Sequence, residues 1–206
     1  MLPFSYAELA DYRRRVFEMY SHVRVSTQNP EVRWRRFRSD QDSSFKTYPQ
    51  TSLNPEQVAD FTSLRYYSYN PAHRLTHPVE PLSEREVIQI NLQDDCPTRL
   101  MAFERISFGI DNQKVSPTLF WIMGYGGGIF LPFKDLTNLN ETYPGGRFLL
   151  DTIKGADLGW EGDKLVIDFN FAFNPSCAYN TRWHCPLPPP ENHLSVSFRA
   201  GEMRYA

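Results

Sequence analysis

A chain of 206 residues with 41% hydrophobic and 15% aromatic side chains can bury a core without disulfide or metal staples. Its formal net charge of −2 argues against nucleic acid as a partner, because neutralising phosphates needs an excess of Lys and Arg. No run reaches the roughly eighteen apolar residues of a membrane span, Met1-Leu2-Pro3-Phe4-Ser5 does not read as a signal peptide, and the odd count of three cysteines favours free thiols in a reducing cytoplasm.

The first third reads as helical. Ser5 can cap a helix in which Leu9, Tyr12, Val16 and Met19 recur at three- and four-residue steps. Asn29-Pro30-Glu31 starts a second helix, Pro being welcome at a first helical position, with Trp34, Phe37 and Phe45 along one stripe and Gln41 between. "NPEQVADF" starts a third: Asn54 caps, Pro55 follows, and Gln57 stands where a capping box needs it.

After Leu64 the pattern changes. "LRYYSYN", "EVIQINL", "RLMAFERISFGI", "TLFWIM", "GIFLPF", "GRFLLDTI", "KLVIDFNFAF" and "HLSVSFRA" are short, rich in branched and aromatic residues, and bounded by Gly, Pro, Asn or Asp. Asp111-Asn112 supplies a turn behind the third of them. Short strands in series imply a mainly β fold, an antiparallel β-barrel or sandwich-like domain with an N-terminal helical arm. The expected organisation is an arm over residues 1–62 and a β-domain over 63–206.

Gly124, Gly126, Gly127 and Gly128 fail the spacing of a dinucleotide loop, since the third glycine would fall at Ile129 and a strand follows rather than a helix. They read as a hairpin loop needing positive φ, with backbone amides lining a ligand as the alternative. Cys177 and Cys185 are eight positions apart, a poor spacing for zinc even with His184, and a fourth ligand would have to be His193 or Cys96. A disulfide could close this loop. The expectation is two reduced thiols that pack as small hydrophobes and bind no metal. No nucleophile elbow and no zinc-protease helix occurs.

The best candidate site is diffuse. Asp135, Arg147, Asp151, Lys154, Asp168, Asn170 and Asn174 fall at or just beyond strand ends, and charges beside apolar runs must be paired, solvated or used. We expect Arg147 and Asp168 to meet at one end of the β-domain, with Asn170 or Asn174 beside them, lining a concave site. Arg147, Asp168, Asn170, Asn174, Asp151 and Lys154 are the candidate ligand-binding residues. A structural ion-pair network is the alternative.

"TYPGGR" from Thr142 to Arg147, "DFNFAFNPSCAY" from Asp168 to Tyr179 and "CPLPPPEN" from Cys185 to Asn192 resemble a prokaryotic family known as domain of unknown function DUF1684. The likeness spans about residues 33–206 and implies no reaction and no catalytic residues. "DFNFAFNPSCAYNTRWHCPLPPPEN" reads as wall that turns into lid, stiffened by Tyr179, Trp183 and the prolines.

Two functional readings follow. In the first, the chain is a small-molecule-binding β-domain protein, an enzyme or not. No cofactor is identified, and fold analogy alone admits a flavin or another planar ligand. In the second it is a structural or interaction module, with the helical arm packing on a partner or on a second copy in a homo-oligomer.

Overall fold

The computed structural model describes residues 5–92 and 97–205. Three α-helices come first: α1 (Tyr6–Val25), α2 (Pro30–Thr47) and α3 (Pro55–Asp60). Each begins where its cap predicts. Ser5 accepts from the Glu8 amide at 3.2 Å, Asn29 from the Glu31 amide at 2.9 Å. Asn54 and Gln57 complete a reciprocal capping box at 2.7 and 2.8 Å.

The strands form three antiparallel groups. A three-stranded sheet has the order β1-β11-β10, from β1 (Arg74–His77), β10 (Trp160–Glu161) and β11 (Lys164–Asp168). A six-stranded sheet runs β2-β4-β7-β8-β9, built from β2 (Glu80–Pro81), β4 (Thr98–Arg105), β7 (Thr118–Ile122), β8 (Gly128–Phe133) and β9 (Arg147–Asp151), with β3 (Val87–Ile90) also on β4. The hairpin of β5 (Phe108–Ile110) and β6 (Gln113–Val115) stands apart. Its turn is Asp111-Asn112, with φ of 49° and 59°, the double positive-φ connection that suits the twist of a two-residue hairpin. The glycine-rich stretch is a hairpin too: Ile122 pairs with Gly128, and Gly124, Gly126 and Gly127 between them have positive φ. The fold is thus mainly antiparallel β with helices before it, and no strand order closes on itself among the described residues.

The main core lies between the sheets. Leu165 and Ile167 of β11 meet Leu119 of β7, Leu131 and Phe133 of β8 and Leu149 of β9. A second cluster joins helices to the β region: Val16, Tyr20 and Val23 of α1 and Trp34 and Phe37 of α2 pack on Ala156 and Phe171.

Three expected strands differ. "LRYYSYN" contributes one bridge, Tyr66 to Glu202, before a 3-10 turn at Pro71–His73. β11 stops at Asp168, whose Oδ1 accepts from the Asn170 amide at 3.0 Å and turns the chain into a 3-10 helix, Phe169–Phe171. "HLSVSFRA" keeps the period of a strand: Leu194, Val196, Phe198 and Ala200 are buried and alternate with less buried neighbours. It forms no strand, making only an isolated bridge from His193 to Lys134. Its backbone bonds instead to the chain around Lys134 and to side chains.

Candidate functional site

The six candidate residues occupy three places. Arg147 is wholly buried and carries the end of the chain. Its guanidinium donates to the carbonyls of Phe198 at 2.9 Å, Ala200 at 2.5 Å and Glu202 at 3.2 Å, and to Asp135 Oδ2 at 3.3 Å. Asp135 Oδ2 also accepts from the Phe198 amide at 2.6 Å. The expected pairing of Arg147 with Asp168 is not formed: the partner of Arg147 is Asp135, and the only side chain hydrogen-bonded to Asp168 among the described residues is Asn170. Burial pulls the Arg147 pKa down against the stabilising pull of Asp135.

Asn174 belongs to the same region. Its amide donates to Glu202 Oε2 and its Nδ2 to the Met203 carbonyl, both at 2.9 Å. Tyr179 donates its hydroxyl to the other oxygen of Glu202. Burial nevertheless raises the Glu202 pKa to about 7, against those stabilising hydrogen bonds. Asp151 and Lys154 form a separate ion pair at 2.7 Å in the turn after β9. Among the described residues neither bonds to the side chain of Arg147 or of Asp168.

Asp168 and Asn170 lie elsewhere, at a cleft. β1 runs antiparallel to β11 with Arg74 directly opposite Asp168, so the two side chains share a face of the small sheet. Val166, two residues back, lines the same side, while Leu165 and Ile167 turn to the core. β10 adds Trp160 and Glu161, and Glu161 pairs with Arg74. The opposite wall is helical: Arg24 from the last turn of α1, Arg33 from the first turn of α2. Arg33 Nη1 donates to Val23 and Ser26 carbonyls at 3.0 and 3.3 Å, capping the end of α1. The indole of Trp34 donates to the Asn170 carbonyl at 2.9 Å, pinning α2 beside the end of β11. Asn170 in turn exchanges bonds with the backbone of Asn70 at 2.8 Å each way.

The cleft has a volume of about 150 Å³ and is open to solvent on one side. Its electrostatics are uneven. Arg24 is held by the Asp157 carbonyl and carboxylate, Arg74 by Glu161, and Arg33 by carbonyls alone. Each uses a single terminal nitrogen for these bonds. Arg33 Nε is buried with no partner among the described residues, as is the nearby Tyr69 hydroxyl. Burial raises the Asp168 pKa to about 6, although Asn170, Arg74 and Arg33 favour its charged form. Such an arrangement can bind an anion through unused guanidinium donors and can change its own charge near neutral pH.

Sequence reasoning missed Arg24, Arg33, Arg74 and Trp160. The signal for Arg74 is a cross-strand pairing between residues far apart in the chain, and that for Arg33 a helix–sheet contact. Cys177 and Cys185 are free thiols, both half-buried. Among the described residues no three His, Cys, Asp or Glu side chains gather as a metal site, and Cys96 lies outside those residues.

These features define a mainly antiparallel β protein with an arginine-walled cleft between its small sheet and a pair of helices. The chain belongs to the family described as Protein of unknown function (DUF1684), whose model matches residues 59–203. It is similar to the solution NMR structure of an uncharacterized protein from Haloarcula marismortui, at 29% identity and a TM-score of 0.60, covering 84% of this chain and 93% of that one. No curated protein matches it. No helix among the described residues is long and apolar enough to cross a membrane.

Proposed function

We propose that the protein binds a small organic acid in the cleft between Arg33, Arg74 and Asp168. One observation carries this reading. Guanidinium groups with unused donors converge there with a buried carboxyl, beside an aromatic rim at Trp160. Arg33 and Arg74 would take the anionic group, since a guanidinium presents a planar fork to a carboxylate. Asp168 would take a hydroxyl or amine. The volume of about 150 Å³ lies below the roughly 300 Å³ at which sites for drug-sized ligands begin, so the ligand is small.

Of the expected site residues, Asp168 lines this cleft and Asn170 holds its carboxylate. Arg147, Asn174, Asp151 and Lys154 stand outside its lining, in hydrogen-bond and ion-pair networks of their own. The sheets are best described as a sandwich-like pair, because Ile167 and Leu149 meet in one core between them. Residues 1–62 then act as an arm that completes the cleft, and residues 63–206 as its scaffold. Nucleic acid has no place in this reading, and the free thiols suit a cytoplasmic protein.

Isothermal titration of the full chain against a panel of small hydroxy-acids and amino acids, with inorganic phosphate as the contrast, tests it. Micromolar binding of one carboxylate, lost in Arg33→Ala and Arg74→Ala, supports the proposal. Uniform silence across the panel would return the interaction-module reading.

A further inference from the structure

The cleft between the small sheet and the first two helices has a charge pattern that narrows what it can hold. Three guanidiniums and three carboxylates stand in or beside it. Arg24 lies 3.5 Å from the Asp157 carboxylate, and Arg74 pairs with Glu161. The remaining two, Arg33 and Asp168, form no ion pair among the described residues. Arg33 Nη1 is taken up by the Val23 and Ser26 carbonyls, and its other nitrogens make no hydrogen bond there. Asp168 is only 3% exposed, and both Asn170 donors fall on its Oδ1, which leaves Oδ2 without a hydrogen bond among the described residues.

One uncompensated cation and one uncompensated anion thus face a single opening. A buried charge without a partner is costly, and a ligand that brings the opposite charge removes that cost. A simple carboxylate answers Arg33 and sets a second anion beside Asp168. A group carrying one charge of each sign answers both.

Much of the remaining lining is apolar. Val23 of α1, Val166 of β11 and Phe171 are buried residues that border the cleft, and Leu158 joins them from the loop before β10. Val166 precedes Asp168 by two residues on β11, so it lies about 7 Å away on the same side of the strand. An apolar group attached close to a cation on Asp168 reaches it.

We propose that the ligand is an α-amino acid with an apolar side chain, bound as the zwitterion: carboxylate on Arg33, ammonium on Asp168, side chain against Val166 and Leu158. This rests on the organic-acid reading of the same cleft and selects one class from the acids that reading admits. Arg74, directly opposite Asp168, keeps donors free beside the carboxylate.

The response to pH separates this class from the others. The charged groups acting on Asp168 are Arg74 from β1 and Arg33 from α2, with Glu161 of β10 on Arg74 and the Tyr69 hydroxyl nearby. An ammonium needs Asp168 ionised, and its pKa of about 6 means that acid supplies the competing proton. Below that pH an amino acid binds only by expelling the proton, whereas a hydroxy-acid has no such requirement.

Titration calorimetry of the full chain tests the proposal with four probes: L-leucine, its hydroxy-acid analogue, the unsubstituted acid of the same skeleton, and L-alanine. At pH 7.5 leucine should bind at least about tenfold more tightly than either acid lacking the amine. It should exceed alanine by a similar factor, since each buried CH₂ contributes roughly fourfold. Leucine affinity should fall about tenfold between pH 7.5 and 5, and binding at pH 6 should release protons, read from the dependence of the heat on the buffer. Asp168→Asn keeps the side-chain shape and should lose the preference for the amine, with a thermal melt confirming that the variant is folded. A hydroxy-acid analogue that binds as tightly as leucine at pH 7.5 would overturn the proposal and leave the organic-acid reading standing. Alanine binding as tightly as leucine would overturn the apolar contact and the class with it. Silence from all four probes would remove both readings.

Discussion

Arg147 Nη2 donates to the carbonyl of Phe198 at 2.9 Å, joining β9 to a segment that forms no strand of its own. Two more carbonyls and Asp135 complete the coordination. The guanidinium thus replaces a sheet edge, satisfying backbone groups that an extended, half-buried segment cannot leave unpaired. Arg147→Ala removes this device and leaves Asp135 buried without its counter-charge. We expect a loss of about 3–5 kcal/mol, read as a lower urea midpoint. Arg147→Lys should recover only part of it, because an ammonium lacks the planar fork. Near-wild-type stability of the alanine variant would refute this role.

Glu202 gives stability a pH dependence of unusual sign. Its carboxyl titrates at about 7 in the fold, above the 4.5 of a free glutamate. The folded state therefore holds its proton more tightly than the unfolded state. Its contribution is complete below pH 4.5, declines as pH rises, and is gone above 7. The decline amounts to roughly 3 kcal/mol. Glu202→Gln should flatten that part of the curve when urea midpoints are compared at pH 5 and pH 8. A variant with the same slope as the parent would exclude Glu202 as its source.

Asp168 predicts how the cleft responds to acid. Its pKa of about 6 means that a negative charge stands in the cleft at neutral pH and is lost on acidification. Binding of a carboxylate that carries a hydroxyl and no amine should strengthen as pH falls from 7.5 to about 5, because the repelling charge is neutralised. Asp168→Asn should bind with little pH dependence over that range. Titration calorimetry on both proteins reads the difference directly, and an unchanged pH profile in the variant would count against it.

Trp34 ties the second helix to the end of β11 by one buried hydrogen bond to the Asn170 carbonyl. Trp34→Phe keeps a ring in the cluster and removes the donor. The expected cost is about 1–3 kcal/mol, since a buried carbonyl is left without its donor. A loss within a few tenths of a kcal/mol would mean that Asn170 finds another partner.

Local signals were legible because they need only neighbours in the chain. Ser5, Asn29 and Asn54 mark three helix starts, and Asp111-Asn112 marks a hairpin, each by hydrogen bonding or φ preference within a few residues. "HLSVSFRA" shows the limit of periodicity. Alternation reports which side is buried, and it says nothing about whether a neighbouring strand exists. The cleft was less legible still. Asp168 was identifiable as a charge at a strand end, yet its pairing with Arg74 depends on strand register across almost half the chain. Arg147 had the right residue type for a site and was placed by burial in a structural role, which composition cannot distinguish.

The residues matched by the family model begin at 59, after most of the helical segment. Arg74, Trp160 and Asp168 fall inside that span, whereas Arg24 and Arg33 fall outside it. The cleft is therefore a joint between the helical segment and the sheets that the family model covers. On the reading proposed above, exchanging the first two helices would replace the wall that carries Arg24 and Arg33 and leave Arg74, Trp160 and Asp168 on the floor.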